Sequence, residues 1–323
     1  MAEQTATVAV DALVIGGGPA GLSAALNLGR ARESVLVVDA GRPRNSATLR
    51  SHGFLTRDGI SPLELRKLAR AELEAYPEVR VIERALVSAL ELVEPDAPDA
   101  GEGMRFRGAL ESRGRGVPST VTARSVLVAT GLRETLPAIP SLRAFYGMTL
   151  FSCAACDGWE LRDRPLALIG ESADLAERAL LIARWTDDLT VFTHGAPVID
   201  EEEESGLAAR GIRVDRRLIE ELEGDRGAVT AVRLVDGARV QIGGGFVRPQ
   251  WHPALEFLAG LDPTIDADGN LVTDGSGRTS IPGLYAAGDA ATPGPQQLIV
   301  AAGAGARVAA VLTHDLLGVT TAH

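Results

Sequence analysis

Two copies of a strand–turn–helix–strand pattern, at 9–40 and 164–194, and a late strand ending on a small turn at 281–290 predict the fold class. It is α/β, with two Rossmann-like three-layer nucleotide-binding domains, the second inserted in the first. The expected division is 1–133 with 248–323 for the discontinuous outer domain and 134–247 for the inserted one.

Residues 9–15, "AVDALVI", form a short apolar strand with one acidic interruption. Gly16, Gly18 and Gly21 fit G-x-G-x-x-G, with Pro19 and Ala20 between the last two, and "LSAALNLGRA" continues as a helix. "SVLVVDA" is the next strand and ends at Asp39, about 20 residues past the glycines. The first glycine permits the tight turn. The second lets a pyrophosphate approach the N–H groups of the helix N-terminus, and Asp39 can accept hydrogen bonds from a ribose hydroxyl. With strand, helix and acid in place, the pattern reads as a dinucleotide site rather than a plain glycine-rich turn. The charged, glycine-rich stretch near 95–118 reads as an exposed β-hairpin excursion, and "SVLVATG" (125–131) as a strand ending on a small turn. In the repeat, "RPLALIG" (164–170) is a strand, 173–185 a helix and "DLTVFTH" (188–194) a strand. "EEEE" (201–204) is a solvated face. Finally, "IPGLYAAGDA" runs into Gly288–Asp289, and the chain closes on a helix that is small on one face.

A chain of 323 residues with 46 % hydrophobic residues can bury a full core. Its formal charge of −11 argues against nucleic acid or an anionic membrane surface as the main partner. Lys67 is the only lysine, so Schiff-base chemistry has almost no candidates. The segment before the first strand is too short and acidic for a signal peptide. The longest apolar run, "LIVAAGAGARVAAVL", is cut by Arg307 and falls short of the ~18 residues of a membrane span. A soluble cytoplasmic protein is expected.

Both cysteines lie in "FSCAACDGWE" (151–160). C-x-x-C can be a metal clip, a structural disulfide or a redox pair. Zinc needs two further ligands, and neither another cysteine nor a nearby histidine pair supplies them, so no metal is expected. In a reducing compartment an inert staple is disfavoured. Cys153 and Cys156 therefore read as a redox pair. If they open a helix, its dipole stabilises a thiolate. Asp157 is either a proton donor and acceptor for the thiols or a helix-capping acid.

Together "VIGGGPAG", "VLVATG", "CAACDG" and "LYAAGDA…PQQ" resemble the low-molecular-weight thioredoxin reductases and their relatives, over essentially the whole chain. The resemblance implies a homodimeric two-domain flavoprotein with FAD in the outer domain. It implies that Gly16, Gly18, Pro19, Ala20, Gly21, Asp39, Asn45, His52, Val87, Thr130, Gly131, Gly288, Asp289, Gln296 and Gln297 hold FAD, with His52 equally readable as a packed loop residue. It also implies that Cys156 faces the flavin and Cys153 attacks the substrate.

The sequence departs from that pattern in the inserted domain. The turn reads "LIGESADLAE", with Glu171 and Ser172 where further glycines are expected. A side chain at the second glycine position blocks a pyrophosphate, and a carboxylate repels it. Between Arg184 and Arg210 there is no Lys or Arg but there are seven acids, so nothing in that segment suits a 2′-phosphate. Trp251, His252 and Pro253 replace most of a Gly-His-x-Pro-Asn-Thr segment, and packing is the favoured role of Trp251 and His252 over lining a substrate pocket. The expected function is an FAD-dependent dithiol oxidase that closes a disulfide in a small-molecule dithiol and passes electrons to O2. It resembles the oxidases of gliotoxin-, holomycin- and romidepsin-type natural products. The alternatives are a thioredoxin-disulfide reductase fed by ferredoxin or another non-nicotinamide donor, a diverged NADPH-dependent reductase, and a flavin-stabilised scaffold or redox sensor.

Overall fold

The computed structural model describes residues 7–93, 103–112, 114, 117–291 and 294–319. The chain begins β1 (Thr7–Ile15), α1 (Pro19–Arg30), β2 (Val35–Asp39), α2 (Pro62–Leu73), β3 (Val79–Glu83), β4 (Ala85–Leu92), β5 (Phe106–Ser112) and β6 (Thr120–Val128). It continues through β7 (Leu132–Thr135), α3 (Leu142–Phe145), β8 (Leu150–Phe151), α4 (Ala154–Leu161), β9 (Leu166–Ile169), α5 (Leu175–Ile182), β10 (Leu189–Phe192), α6 (Glu201–Ala208) and β11 (Arg213–Asp215). Three strands follow, β12 (Ile219–Asp225), β13 (Ala228–Leu234) and β14 (Arg239–Gln241). The chain ends with β15 (Gly245–Val247), β16 (Gln250–Pro253), β17 (Leu284–Ala286) and α7 (Leu298–Leu317).

The first sheet runs β3-β2-β1-β6-β5-β4. One edge of β6 is shared, by β5 along its start and by β17 along its end. Strands β1, β2, β3, β6 and β17 are parallel, so their carboxyl ends gather at one edge, where α/β proteins bind ligands. Buried on both faces, β2 is the continuous apolar run that a central parallel strand requires. Helices α1 and α7 cover one face, and a cluster with Phe106, Leu110, Phe257 and Leu258 covers the other. The closing helix packs close: a Cβ at Gly305 would lie 2.0 Å from the Ala20 carbonyl oxygen of α1.

The inserted sheet is all parallel, in the order β11-β10-β9-β15-β8. One core cluster joins it to α4, α5 and α6, and a second joins it to the antiparallel β12-β13-β14 sheet. The chain crosses between the two units on β7 and β16, which pair antiparallel with Glu134 opposite Trp251.

Four sequence expectations change. The stretch near 95–118 is more than an excursion: β5 is an interior strand, with Phe106, Gly108 and Leu110 buried in alternation. Gly108 interrupts the apolar pattern because Val121 and Leu13 crowd the place of its Cβ. Residues 94–102, 113, 115 and 116 of that region lie outside the described residues. The helix expected at 173–185 spans only Leu175–Ile182, since Ser172 and Asp174 form a turn before it. The acidic run is solvent-facing and also opens α6, where Asp200 and Glu203 make a reciprocal capping box. Finally, α7 does have the length and apolarity of a bilayer span, while its inner face packs on α1.

Gly305→Ala tests the α1–α7 contact. Alanine gains up to about 1 kcal/mol of helix propensity, whereas overpacking against a backbone carbonyl costs ~1–3 kcal/mol. Chemical denaturation should therefore show a net loss of stability; a gain would contradict the packing described.

Candidate active site

The cysteine pair sits at a helix start. Cys153 is the N-cap of α4, and its carbonyl accepts hydrogen bonds from the N–H groups of Cys156 (3.2 Å) and Asp157 (3.1 Å). The two cysteines form a disulfide with Cα atoms 5.3 Å apart. Positions 153, 156, 157 and 160 are spaced three and four apart, so Cys153, Cys156, Asp157 and Glu160 share one face. Gly158 is required on the opposite side, since a Cβ there would lie 2.6 Å from the Trp185 ring. Burial pushes the Asp157 carboxyl up to about 7; His52 pulls it down and Glu160 pushes it further up. Asp157 can thus give and take a proton near neutrality.

Several predicted cofactor residues converge at the carboxyl ends of β1, β6 and β17. A Cβ at Gly16 would lie 2.2 Å from the Ala129 carbonyl oxygen, and one at Gly288 would lie 3.0 Å from the Ala20 side chain. Pro19, Ala20 and Gly21 form the first turn of α1, whose N-terminus has no side-chain cap. The place of a Cβ on Gly18 is open space, as it is at Gly131. The Thr130 hydroxyl is buried without a hydrogen-bond partner. An open glycine, an uncapped helix start and an orphaned hydroxyl are what a dinucleotide pyrophosphate would fill, so these residues fit FAD.

Other predicted residues have more to say. Asp39 lies beside Gly17, and it accepts from Arg66 (2.6 Å), Arg70 (2.5 Å) and the Gly41 N–H (3.0 Å). Arg66 and Arg70 are thus carboxylate partners that sequence reasoning missed, one helical turn apart on α2. Asp289 and Gln296 are joined by Arg44, which donates to both at 2.8 and 2.7 Å. Burial raises the Asp289 carboxyl, and Arg44 opposes that. Asn45 is half-buried in the 3₁₀ turn at 44–47, and Gln297 stands at the N-cap position of α7 without a side-chain bond to it. The Val87 side chain belongs to the core and is 7 % exposed, so only its backbone remains for a ligand. His52 meets the cysteine helix. It lies against α4, 3.7 Å from Glu160 and 3.6 Å from Asp58.

The inserted turn is filled by the chain itself. Asp174, at the start of α5, accepts from Ser172 (2.6 Å), Arg178 (2.7 Å) and Arg248 (3.1 and 2.9 Å). Burial raises this carboxyl, but the bonds from Arg248, Ser172 and Arg178 win and hold it at about 2. The stem of Arg248 also covers Gly170, where a Cβ would come within 2.8 Å of it. Trp251 packs, as expected, under the Arg248 guanidinium (4.0 Å), with Arg178 (5.6 Å) and Arg44 (5.8 Å) near the same ring; His252 is exposed. The expectation of no basic group beside the second strand holds for segment 185–209 only. The fold brings Arg216 there from beyond it, bound to Glu204 (2.6 Å) and the Ile199 carbonyl (2.8 Å).

One half-buried acid went unread in the sequence. Glu134 accepts from the Tyr146 hydroxyl at 2.8 Å, and burial raises it. Tyr146 also meets Ser152, the residue before Cys153. A separate cavity of about 700 Å³, lined by Arg105, Arg124, Arg278 and Tyr285, opens by the start of β17, at the other end of that strand from Gly288.

Residues 10–305 match the sequence profile of the pyridine nucleotide-disulphide oxidoreductases, and the chain belongs to that family. It is a thioredoxin-reductase-like oxidoreductase. It is 31 % identical to the thioredoxin reductase tcpT of Claviceps purpurea, over 72 % of this chain and 70 % of that one. A match to a probable thioredoxin reductase of Arthroderma benhamiae, at 34 %, spans 57 % of this chain and 44 % of that protein. Among solved structures, a putative thioredoxin reductase of Bacillus anthracis has a TM-score of 0.84 at 35 % identity, covering 95 % of this chain and 99 % of that one. The structure of HlmI has a TM-score of 0.86 at 34 %, covering 96 % and 93 %.

Two variants test the electrostatics. An aspartate raised above its unfolded value costs stability as pH climbs from the ordinary carboxylate range through about 7. Asp157→Asn should therefore melt near wild type at pH ~4 and higher than wild type at pH ~8. Asp174 has the opposite sign: its contribution is present above the ordinary value and lost as pH falls toward about 2. Asp174→Ala should lose ~1–2 kcal/mol at neutral pH, after discount for partial exposure, with the deficit shrinking in acid.

Proposed function

We propose that this protein is an FAD-dependent dithiol oxidase acting on a small-molecule dithiol. The observation that carries the reading is the inserted turn, where Asp174, Arg178 and Arg248 fill the position a nicotinamide dinucleotide would need. A carboxylate already at the start of α5 repels a pyrophosphate, and two arginines that could bind one are committed to it. FAD, when bound, supplies a two-electron acceptor that dioxygen reoxidises, giving hydrogen peroxide.

The chain's own residues supply thiol exchange. A substrate thiol gives its proton to Asp157, and the thiolate attacks Sγ of Cys153. The Cys153–Cys156 bond breaks, and Cys156 leaves as a thiolate stabilised at the start of α4. The second substrate thiol gives up its proton to the departing Cys153 sulfur as it attacks the substrate sulfur of the mixed disulfide, so Cys153 leaves as a thiol. The substrate is oxidised to a disulfide and the enzyme disulfide is reduced to a dithiol, with the electron pair held on the cysteines. Cys156, adjacent to Asp157, is the cysteine that passes the pair on.

A second reading has thioredoxin as partner, with electrons from a non-nicotinamide donor such as ferredoxin. The names of the relatives favour the thioredoxin partner, as does Trp159, which is 65 % exposed on the cysteine helix. The test is aerobic turnover with dithiothreitol and no nicotinamide. The oxidase reading expects one peroxide per disulfide formed; absolute dependence on a reduced donor would overturn it. Cys156→Ser should keep the bound cofactor yet lose thiol-driven bleaching of its visible band. Bleaching at the wild-type rate would remove Cys156 from the flavin-facing role.

A further inference from the structure

The structure points to a positioning residue that the dithiol reading, on which this inference rests, does not name. We propose that His52 controls the proton of Asp157, so that the carboxyl can take a proton from an incoming thiol and release it to solvent.

The geometry has three parts. His52 is half-buried, with its side chain 16 % exposed, although it sits on a surface loop. Its two ring nitrogens face carboxylates on opposite sides: Nδ1 is 3.6 Å from Asp58 and Nε2 is 3.7 Å from Glu160. Glu160 is one turn after Asp157 on the α4 face that also carries both cysteines, and His52 and Asp157 interact electrostatically. The loop holding the imidazole is pinned from both ends. Asp58 accepts from the Gly53 N–H at 2.8 Å, and Ser51 pairs with Ile60 and with Gly59 through backbone bonds of 2.7 and 2.9 Å.

The groups facing His52 among the described residues are Asp58 from its own loop and Asp157 and Glu160 from α4; those facing Asp157 are His52 and Glu160. A protonated imidazole favours the ionised Asp157, while Glu160 disfavours it. The two neighbours therefore push the acid in opposite directions. Glu160 and Asp58 are 40 % and 72 % exposed, so the carboxylates flanking His52 are open to water. Per turnover the substrate's two thiols lose two protons, and the two enzyme sulfurs gain the electron pair. His52 acts through its charge on Asp157, and no further reactant is needed.

The test is the opening of the Cys153–Cys156 disulfide by dithiothreitol in the holoenzyme under anaerobic conditions. It is read by acid quench, alkylation and mass spectrometry across pH, independently of flavin colour. Wild type should show a rate rising with pH through one midpoint near neutrality. His52→Gln should move that midpoint up by about one unit, which is about fivefold slower at neutral pH and approaches tenfold below both midpoints. Glu160→Gln should move it down. Opposite shifts separate a proton role from simple loosening, which would change both rates without moving either midpoint. Should His52→Gln fail to fold, Glu160→Gln alone decides: an unmoved midpoint overturns the proposal. If wild-type disulfide is not opened by the dithiol at all, the dithiol reading itself fails, and that result is distinct from unmoved midpoints in variants of an active enzyme.

Discussion

The indole of Trp251 meets guanidinium groups from both halves of the chain. Arg178 approaches it from α5 of the inserted unit, Arg248 from the link between β15 and β16, and Arg44 from the 3₁₀ turn at 44–47, where it also binds Asp289 and Gln296. Such contacts are individually worth ~0.5–2 kcal/mol. Their larger consequence is geometric. Arg248 cannot stack on Trp251 and bind Asp174 without lying across Gly170, so the inserted turn is closed by the same side chain that ties β16 to it. The inserted domain keeps its parallel sheet and its helix but presents a completed ion network where a phosphate would enter. A fold can keep its architecture while its site changes, because the sheet is held by apolar burial and the site by a few side chains.

Helical periodicity does the corresponding work on the other side. Starting α4 immediately after Cys153 puts a disulfide, an acid and a second acid on one stripe. The same stripe is met by a histidine from a loop more than 90 positions earlier. Burial of Asp157 there raises its proton affinity toward neutrality, so desolvation, a cost to folding, leaves a carboxyl able to exchange a proton beside the disulfide.

The first turn of the outer domain was legible because its determinants are local: glycines at fixed offsets, a helix and an acid ending the next strand. The cysteine helix was legible for the same reason. What could not be read was non-local. Arg178 and Arg248 meet at Asp174 across a 70-residue interval, and Arg216 reaches its corner on a strand beyond the acidic segment that had suggested a lack of cations. β5 was obscured by Gly108, whose small size answers to Val121 and Leu13 on other strands. His52 could be placed only on a loop near the cofactor, since its contact with Glu160 joins residues more than 100 positions apart. Glu134 gave no local sign, since its burial depends on β16 closing over β7.

The central claim is that this site takes electrons from dithiols and not from nicotinamides. Anaerobic mixing of the flavin-loaded protein with NADPH, with NADH and with dithiothreitol, followed through the flavin's visible absorbance, tests it most directly. Rapid bleaching by the dithiol alone, reversed by air, is the expected result. Rapid bleaching by NADPH would contradict it, because a dinucleotide would then have displaced Arg248 and Asp174 from the inserted turn.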